Sequence, residues 1–293
     1  MKLVNLEQNT PEWHEYRRTH IGASDIPPIM EVSKWHTPYS LWRLKLGFIS
    51  NPDTQAMFYG REMEPLIRKQ LNEELKRDFQ PVVIEHDELS WASASLDGWD
   101  GVSQAIAEIK AANNDDHEKA KMGQVPRHYF PQVQWQMFVA DAKSMFYVSY
   151  HQGDMKVVLV ERDDEYIKTC VERAAEFVQY LENLEEPPLS ENDHLPLDDP
   201  EYLQLAAQYC DIRHHADELS KKEKDLRLQL LEFTDDGNCE GGGVRFTRVR
   251  RNGAIDYKKM VDAIIEAEPD LRTKFDPDDY RKDDIGYFRV SLY

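Results

Sequence analysis

One short run narrows what this chain can fold into: Ala105-Ile106-Ala107-Glu108-Ile109-Lys110, with Ser95-Leu96-Asp97-Gly98 a few residues earlier. The run alternates, so Ile106, Glu108 and Lys110 share one face of a strand. That face carries a carboxylate and an ammonium side by side, and the strand before it adds a second carboxylate. Charges taken out of water persist only with partners, and a divalent cation together with a polyanion satisfies several at once. On these residues alone two readings stand. Asp97, Glu108 and Lys110 are either a D…ExK metal site or a turn aspartate beside an ordinary Glu–Lys ion pair.

The first reading is specific about residue types. Two hard oxygen ligands on neighbouring strands hold Mg²⁺ and leave positions for water and a phosphate oxygen. The ion lowers the pKa of its water and offsets charge on the scissile phosphate. A lysine two residues after the glutamate lies on the same face, where it can orient that water or help deprotonate it.

The surrounding patterns build an α/β frame. Thr10 and Pro11 open a helix over 10–18 as N-cap and first helical residue. Ser24 or Asp25 caps a second, short helix. Residues 38–47 are amphipathic and close on Gly47. A long helical pattern runs from Thr54 to Lys76, with Glu64 on or beside its buried face. Strands are expected at Val82–Glu85, Trp91–Leu96 and Ala105–Lys110. The last two read as antiparallel neighbours joined by turn chemistry at Asp97-Gly98 and Asp100-Gly101, which sets Asp97 at a strand end. Asn113 to Gly123 reads as a loop or loose helix. Pro126–Ala140 reads as a helix with Val133, Met137 and Phe138 on its apolar side, carrying the amides Gln132, Gln134 and Gln136. A hairpin over Ser144–His151 and Met155–Glu161, then a helix over Asp163–Leu184, complete a mixed central sheet flanked by helices.

The acidic, proline-rich stretch from Glu185 to Pro200 has linker composition. It divides the chain into a domain over 1–186, a linker over 187–200 and a C-terminal extension over 201–293. The extension holds a long charged helix (Glu201–Phe233) whose leucines suit pairing with another helix. A basic strand from Val244 to Arg251, a short helix over Asp256–Ala267 and a last strand over Tyr287–Leu292 follow. Arg245, Arg248, Arg250 and Arg251 either touch DNA or a partner, or form a solubilising strand edge.

A chain of 293 residues is long enough for a substantial core in one or two domains. No apolar run approaches the roughly 18–20 residues that span a bilayer, and the first residues lack the apolar segment of a signal peptide. Cys170, Cys210 and Cys239 are odd in number, far apart and without a CxxC pair, which fits a reducing cytoplasm better than a disulfide or thiolate-zinc framework. The net charge of −19 argues against bulk attraction to nucleic acid, because phosphates are gripped by local Lys and Arg. A nuclease cleft is itself rich in carboxylates, so DNA stays open as a substrate.

Six blocks then stand in order. They are Arg17-Arg18-Thr19-His20-Ile21-Gly22-Ala23-Ser24-Asp25, Tyr39-Ser40-Leu41-Trp42 with Lys45-Leu46-Gly47, Gly60-Arg61-Glu62-Met63-Glu64-Pro65, Ser95-Leu96-Asp97-Gly98, Glu108-Ile109-Lys110, and Tyr129-Phe130-Pro131-Gln132-Val133-Gln134. Together they resemble the phage-type exonuclease family that includes lambda exonuclease and the YqaJ-like viral recombinases, within the PD-(D/E)xK nuclease superfamily. The resemblance spans residues 10–184.

It implies a restriction-endonuclease-like core and a Mg²⁺-dependent 5′→3′ exonuclease acting on double-stranded DNA ends, with Mn²⁺ as a substitute ion. The 3′ single-stranded tails would serve a single-strand annealing partner in phage recombination. By the same resemblance Asp97, Glu108 and the Ile109 carbonyl bind metal, and Glu64 is an outer or second-metal carboxylate. Lys110 is the catalytic lysine, Gln132 positions the site, and Arg17 and Ser24 bind the terminal 5′-phosphate. His20 is structural. The family further implies a closed homo-oligomeric ring, commonly a trimer, without membrane association, in the cytoplasm of a bacterium that carries the phage or prophage.

Two features depart from the pattern. Leu96 stands where the superfamily places proline before its aspartate, and the region after Glu185 has no counterpart in the short exonucleases. Gly253–Tyr257 and Asp279–Arg281 look like parts of the tails of longer YqaJ-like proteins. Other readings of the same fold are an endonuclease or a single-strand-specific nuclease. A degenerate module that binds DNA ends or a partner is the non-enzymatic one.

Overall fold

The alternation at Ala105–Lys110 is realised as a central strand of a six-stranded sheet. The computed structural model describes residues 1–50, 53–234, 237–249 and 257–268, and separates into two units, Met1–Leu195 and Pro196–Tyr293. In the first unit β1 (Lys2–Val4), β2 (Gln80–Glu85), β3 (Ser93–Asp100), β4 (Ala105–Ala111), β5 (Ser144–His151) and β6 (Asp154–Glu161) lie side by side in chain order. All neighbours are antiparallel except β4 and β5, which are parallel. A parallel pair needs a long crossover, supplied here by α5 (Asn114–Lys121) and α6 (Phe130–Ala140).

The two faces of β4 bury into different layers. Ile106 joins Leu96, Trp135, Met137 and Tyr147 in the larger core, which α6 and α7 (Asp164–Asn183) cover together with α2 (Ile26–Ile29) and α3 (Pro38–Lys45). Ala107 and Ile109 pack with Phe79 and Val148 against Ile67 and Leu71 of α4 (Gln55–Leu75) on the other side. Each large apolar side chain so buried contributes roughly 1.5–3 kcal/mol. Because Glu108 alternates with Ile109, its carboxylate is delivered to the α6 side. The helix α1 (Pro11–Thr19) starts as its sequence dictates, with Thr10 Oγ1 accepting the Trp13 N–H and Pro11 in the first turn.

Two local expectations are corrected and one, the loop or loose helix after Asn113, is narrowed. Asp97 and Gly98 are not turn residues but lie inside β3, and the turn falls at Asp100–Gln104, where the Gln104 N–H reaches the Asp100 carbonyl at 2.8 Å. Gly98 is required by closeness: a Cβ there would sit 2.9 Å from the Phe79 Cβ. The polar segment after Asn113 is an ordered helix, α5, capped by the Asn113 side chain, with Asp116 and His117 turned inward. Asp116 accepts from Asn113 Nδ2 at 2.8 Å, and His117 meets Ser149 Oγ at 3.0 Å and Asp154 at 3.2 Å. Ser24 and Asp25 belong to a 3₁₀ turn, Ala23–Asp25, leading into α2, and the Asp25 side chain makes no cap bond to α2.

The expected linker has no regular structure. Its Asp193 is nevertheless tied down, accepting from the Ser190 N–H at 2.7 Å and from the Thr37 hydroxyl. In the second unit α8 (Pro200–Leu231) is followed by a hairpin of β7 (Cys239–Gly241) and β8 (Val244–Phe246), then by α9 (Tyr257–Ala267). The expected basic strand is therefore confined to Val244–Phe246 among the described residues. The strand expected at Tyr287–Leu292 lies outside them.

Candidate active site

Glu108 is 2% exposed and surrounded by donors. Lys110 Nζ lies 2.6 Å from its Oε1, Gln132 Nε2 donates to the same oxygen at 2.6 Å, and Gln136 Nε2 donates to Oε2. Gln132 and Gln136 are one helical turn apart, so α6 presents both amides to one carboxylate. That helix is buried on nearly every side, from Pro131 through Met137, and polar groups in such a setting must find partners. Gln134 finds its own elsewhere. It donates to the Glu161 carbonyl at 3.0 Å and accepts the Asp163 N–H at 2.9 Å, binding α6 to the end of β6 and the start of α7. Gln136 also reaches the Ser95 carbonyl at 3.2 Å, while its own Oε1 is buried without a hydrogen-bond partner among the described residues. An orphaned acceptor costs about 1–3 kcal/mol, a sign that the amide is turned to put its N–H groups on Glu108 and β3.

Asp97 sits where β3 and β4 part. The registered pairs run from Asp100↔Ala105 to Gly98↔Ala107, and just beyond them Asp97 Oδ2 accepts the Ile109 N–H at 2.8 Å. Burial, then the charges of Glu108 and Glu64, push its carboxyl well above the usual range, against the opposing pull of Lys110 and the Ile109 N–H. Burial pulls Lys110 down, but Glu108 and Asp97 outweigh it and leave the ammonium above its ordinary value. The ring of Tyr129 lies over this ammonium, 5.0 Å from Nζ to the centroid, a cation–π distance. Glu64 is carried on α4 and anchored by Arg68, whose Nη1 lies 2.8 Å from Glu64 Oε1 and also donates to the Asp97 carbonyl.

Among the described residues no three His, Cys, Asp or Glu side chains are gathered tightly enough to hold an ion by themselves. The donor set expected from the sequence is different in kind: two carboxylates, Asp97 and Glu108, and the Ile109 carbonyl. That set fits a hard divalent cation on one observation. Asp97 is held toward its protonated form by burial first and then by the charges of Glu108 and Glu64, and a cation between such oxygens offsets both.

The second cluster forms around α1. Arg17 Nη2 donates to Ser24 Oγ at 2.7 Å, lies 3.7 Å from Asp25 Oδ1, and its guanidinium sits 4.7 Å from the centroid of Trp13. Beneath it Lys45, 7% exposed, donates to the carbonyls of Arg17 and His20, both at 2.6 Å, and to Asp25 Oδ2 at 2.5 Å. Burial pulls the Lys45 ammonium below its usual value, with Asp25 opposing. Asp25 in turn accepts the Gly22 N–H at 2.8 Å. The two clusters are joined through Trp13, whose Nε1 donates to Ser95 Oγ at 2.9 Å, two residues before Asp97. His20 stacks on Tyr16 at 3.8 Å.

The structure thus gathers Asp97, Glu108, Lys110 and Gln132 into one cluster, reaches Glu64 through Arg68, and pairs Arg17 with Ser24. Four further residues carry the arrangement and were given no site role from sequence: Gln136, Arg68, Lys45 and Asp25. The first two had a legible signal, each four residues after a recognised site residue. Of the candidate arginines in the second unit, Arg245 is paired across the hairpin with Glu240 at 2.6 Å. The Arg248 N–H donates to Asn238 at 2.7 Å, and Arg250 and Arg251 lie outside the described residues.

A six-stranded mixed sheet with helices on both faces, bearing Asp97 on one strand and Glu108 and Lys110 on the next, is the restriction-endonuclease-like core expected from the sequence. Residues 12–143 match the family model of the YqaJ-like viral recombinase domain, the family to which the sequence blocks point. The chain is 28% identical over 182 residues to the protein YqaJ of Bacillus subtilis (strain 168), covering 59% of this chain and 56% of that protein. It therefore spans little more than half the length of that relative. The crystal structure of an alkaline exonuclease from Laribacter hongkongensis aligns over 69% of this chain and 100% of its own, with a TM-score of 0.52 and 24% identity. The same enzyme in complex with dAMP gives a TM-score of 0.53. At this identity the likeness is one of fold.

Proposed function

We propose that this chain is a metal-dependent deoxyribonuclease, and more narrowly a 5′→3′ exonuclease on double-stranded DNA ends whose 3′ tails serve a single-strand annealing partner in phage-type recombination. The observation that carries the reading is the set of three donors around Glu108, namely Lys110, Gln132 and Gln136, beside the buried Asp97 that accepts the Ile109 N–H on the neighbouring strand. Asp97, Glu108 and the Ile109 carbonyl would hold Mg²⁺, or Mn²⁺ in its place, with Glu64 alongside. When bound, the ion supplies an acidified water and offsets phosphate charge. Gln132 and Gln136 keep Glu108 in one orientation. Lys110 faces the incoming phosphate as a cation and orients the attacking water. Arg17 and Ser24, a guanidinium and a hydroxyl already in contact, offer an anion site for a terminal 5′-phosphate. A homo-oligomeric ring, enclosing DNA in a channel more basic than the outside, would reconcile this substrate with the net charge of −19.

The test uses linear duplexes with and without a 5′-phosphate, and a covalently closed circle, each in Mg²⁺ or in chelator. Linear ends are expected to shorten only in Mg²⁺, phosphorylated ends faster, with the circle intact. Arg17→Ala is expected to erase the preference for phosphorylated ends. Circles cut as fast as ends would overturn exonuclease action, and a fully active Lys110→Ala would overturn the site.

A further inference from the structure

Of the six tryptophans in the chain only Trp35 is held out in solvent, at 63% exposure. Trp13, Trp42 and Trp135 are buried, and Trp91 and Trp99 are half-buried. An open ring of this size forgoes the burial that fixes the others, yet it is positioned. Ser33 Oγ accepts the N–H groups of Trp35 and His36 at 3.1 and 3.2 Å, which folds the loop between α2 and α3. The Trp35 ring meets the buried His128 edge-on at 5.4 Å and lies 6.1 Å from Tyr129. His128 and Tyr129 are 4.1 Å apart, and Tyr129 is the ring over Lys110. A short file of rings therefore runs from the surface to the lysine of the candidate active site.

The charges around this file are positive, against the net charge of −19. Lys34 and Lys119 share one carboxylate oxygen, Asp116 Oδ1, at 3.5 and 3.7 Å. That side chain is 1% exposed while the two lysines are 50% and 42% exposed, so the surface presents the cations. Burial, opposed by Asp116, holds the His128 imidazole below its usual value, and Lys34, Lys119 and Lys110 add to the effect. Three ammoniums thus surround one buried ring. Lys119 also lines a cavity of about 530 Å³ with Arg127, Val32, Phe130 and Tyr166, and no carboxylate lines it. Arg127 makes no hydrogen bond or ion pair among the described residues. An exposed aromatic ring set among cations suits single-stranded nucleic acid, whose bases stack on the ring while its phosphates meet the charges.

We infer that Trp35 is a stacking platform for an unpaired base of the DNA strand that leads to Lys110, with Lys34, Lys119 and Arg127 gripping the neighbouring phosphates. This deepens the nuclease reading and rests on it for the identity of the strand.

The experiment uses the full chain in chelator, so that nothing is cut, with a 5′-phosphorylated oligothymidylate of about 12 nucleotides. Intrinsic tryptophan fluorescence is expected to fall on binding, and Trp35→Phe to abolish that fall while keeping most of the affinity. Trp35→Ala is expected to weaken binding about tenfold. Arg127→Gln should flatten the slope of log affinity against log salt by about 0.7, the share of one phosphate contact on a single strand. Wild-type affinity in Trp35→Ala, which would leave the ring to a protein partner, would overturn the inference. So would a fluorescence change that persists in Trp35→Phe, or an unchanged salt slope in Arg127→Gln. A wild-type chain that fails to bind the oligonucleotide but shortens linear duplexes in Mg²⁺ would overturn the platform and leave the nuclease reading standing. Binding with all of these effects, but without cleavage in Mg²⁺, would uphold the platform and overturn the nuclease reading.

Discussion

Lys45→Met would remove the one ammonium that neutralises a buried carboxylate and closes the end of α1. Lys45 and Asp25 are 5% and 6% exposed at their side chains and 2.5 Å apart. Deleting one partner of such a buried pair costs about 3–5 kcal/mol, and the Arg17 guanidinium, 3.7 Å from the other Asp25 oxygen, compensates the remaining charge only in part. Two carbonyls, those of Arg17 and His20, lose their donor at the same time. Against a total stability of about 5–15 kcal/mol, this is a large fraction. For a unit of this size 1 kcal/mol shifts the melting temperature by roughly 2–4 °C, so the expected fall is roughly 6–20 °C. Urea titration followed by tryptophan fluorescence gives the free energy directly. Asp25→Asn added to Lys45→Met removes the stranded charge and should recover part of the loss. At temperatures where Lys45→Met remains folded, its preference for 5′-phosphorylated ends should weaken, because Arg17 loses its backbone anchor. A cost below about 1 kcal/mol, or a double variant no more stable than the single, would refute the view of this pair as a buried, mutually dependent unit.

Two further outcomes follow from the carboxylate cluster. Asp97→Asn should raise the melting temperature in chelator at neutral pH. The Asp97 carboxyl is raised above its unfolded value, so its ionisation opposes folding: the penalty is absent below about pH 4, where both states are protonated, and grows as pH rises through the folded pKa. The gap between variant and wild type should close on acidification, and Mg²⁺ should stabilise the wild type only; a variant less stable than wild type at pH 7.5 would count against the cluster. Gln136→Leu should lower DNA cleavage by about 10–100-fold and raise the Mg²⁺ concentration needed, as loss of a ligand's supporting hydrogen bond does, whereas Gln134→Leu should cost stability and leave the Mg²⁺ requirement unchanged.

How much of this was legible from sequence depended on whether a residue's partners were local. The strand β4 was readable because its period of two shows in six residues, and the fate of Glu108 and Lys110 followed from parity alone. Asp97-Gly98 misled because glycine after aspartate is also the signature of a turn; here the glycine makes room for Phe79, almost twenty residues earlier. The helix α5 read as a loop or loose helix because its inward residues are polar, and their burial is made tolerable by Ser149 and Asp154 around His117 and by Asn113 and Lys34 around Asp116. β1, with three residues, is too short to carry a pattern at all. Gln132 was found through a resemblance, and Gln136 needed only the further step that a helix repeats its face every four residues. Lys45 and Asp25 could not be linked from sequence, since their bond closes a gap of twenty positions that no periodicity predicts.

The bond from Trp13 to Ser95 has a consequence for how the proposed enzyme would measure its substrate. The side chain that stacks on Arg17 is fixed to the same strand that carries Asp97. Arg17 on α1 and Asp97 on β3 are therefore linked through one side-chain hydrogen bond. On the proposed reading, that contact would hold the phosphate anchor and the cleavage site at one spacing.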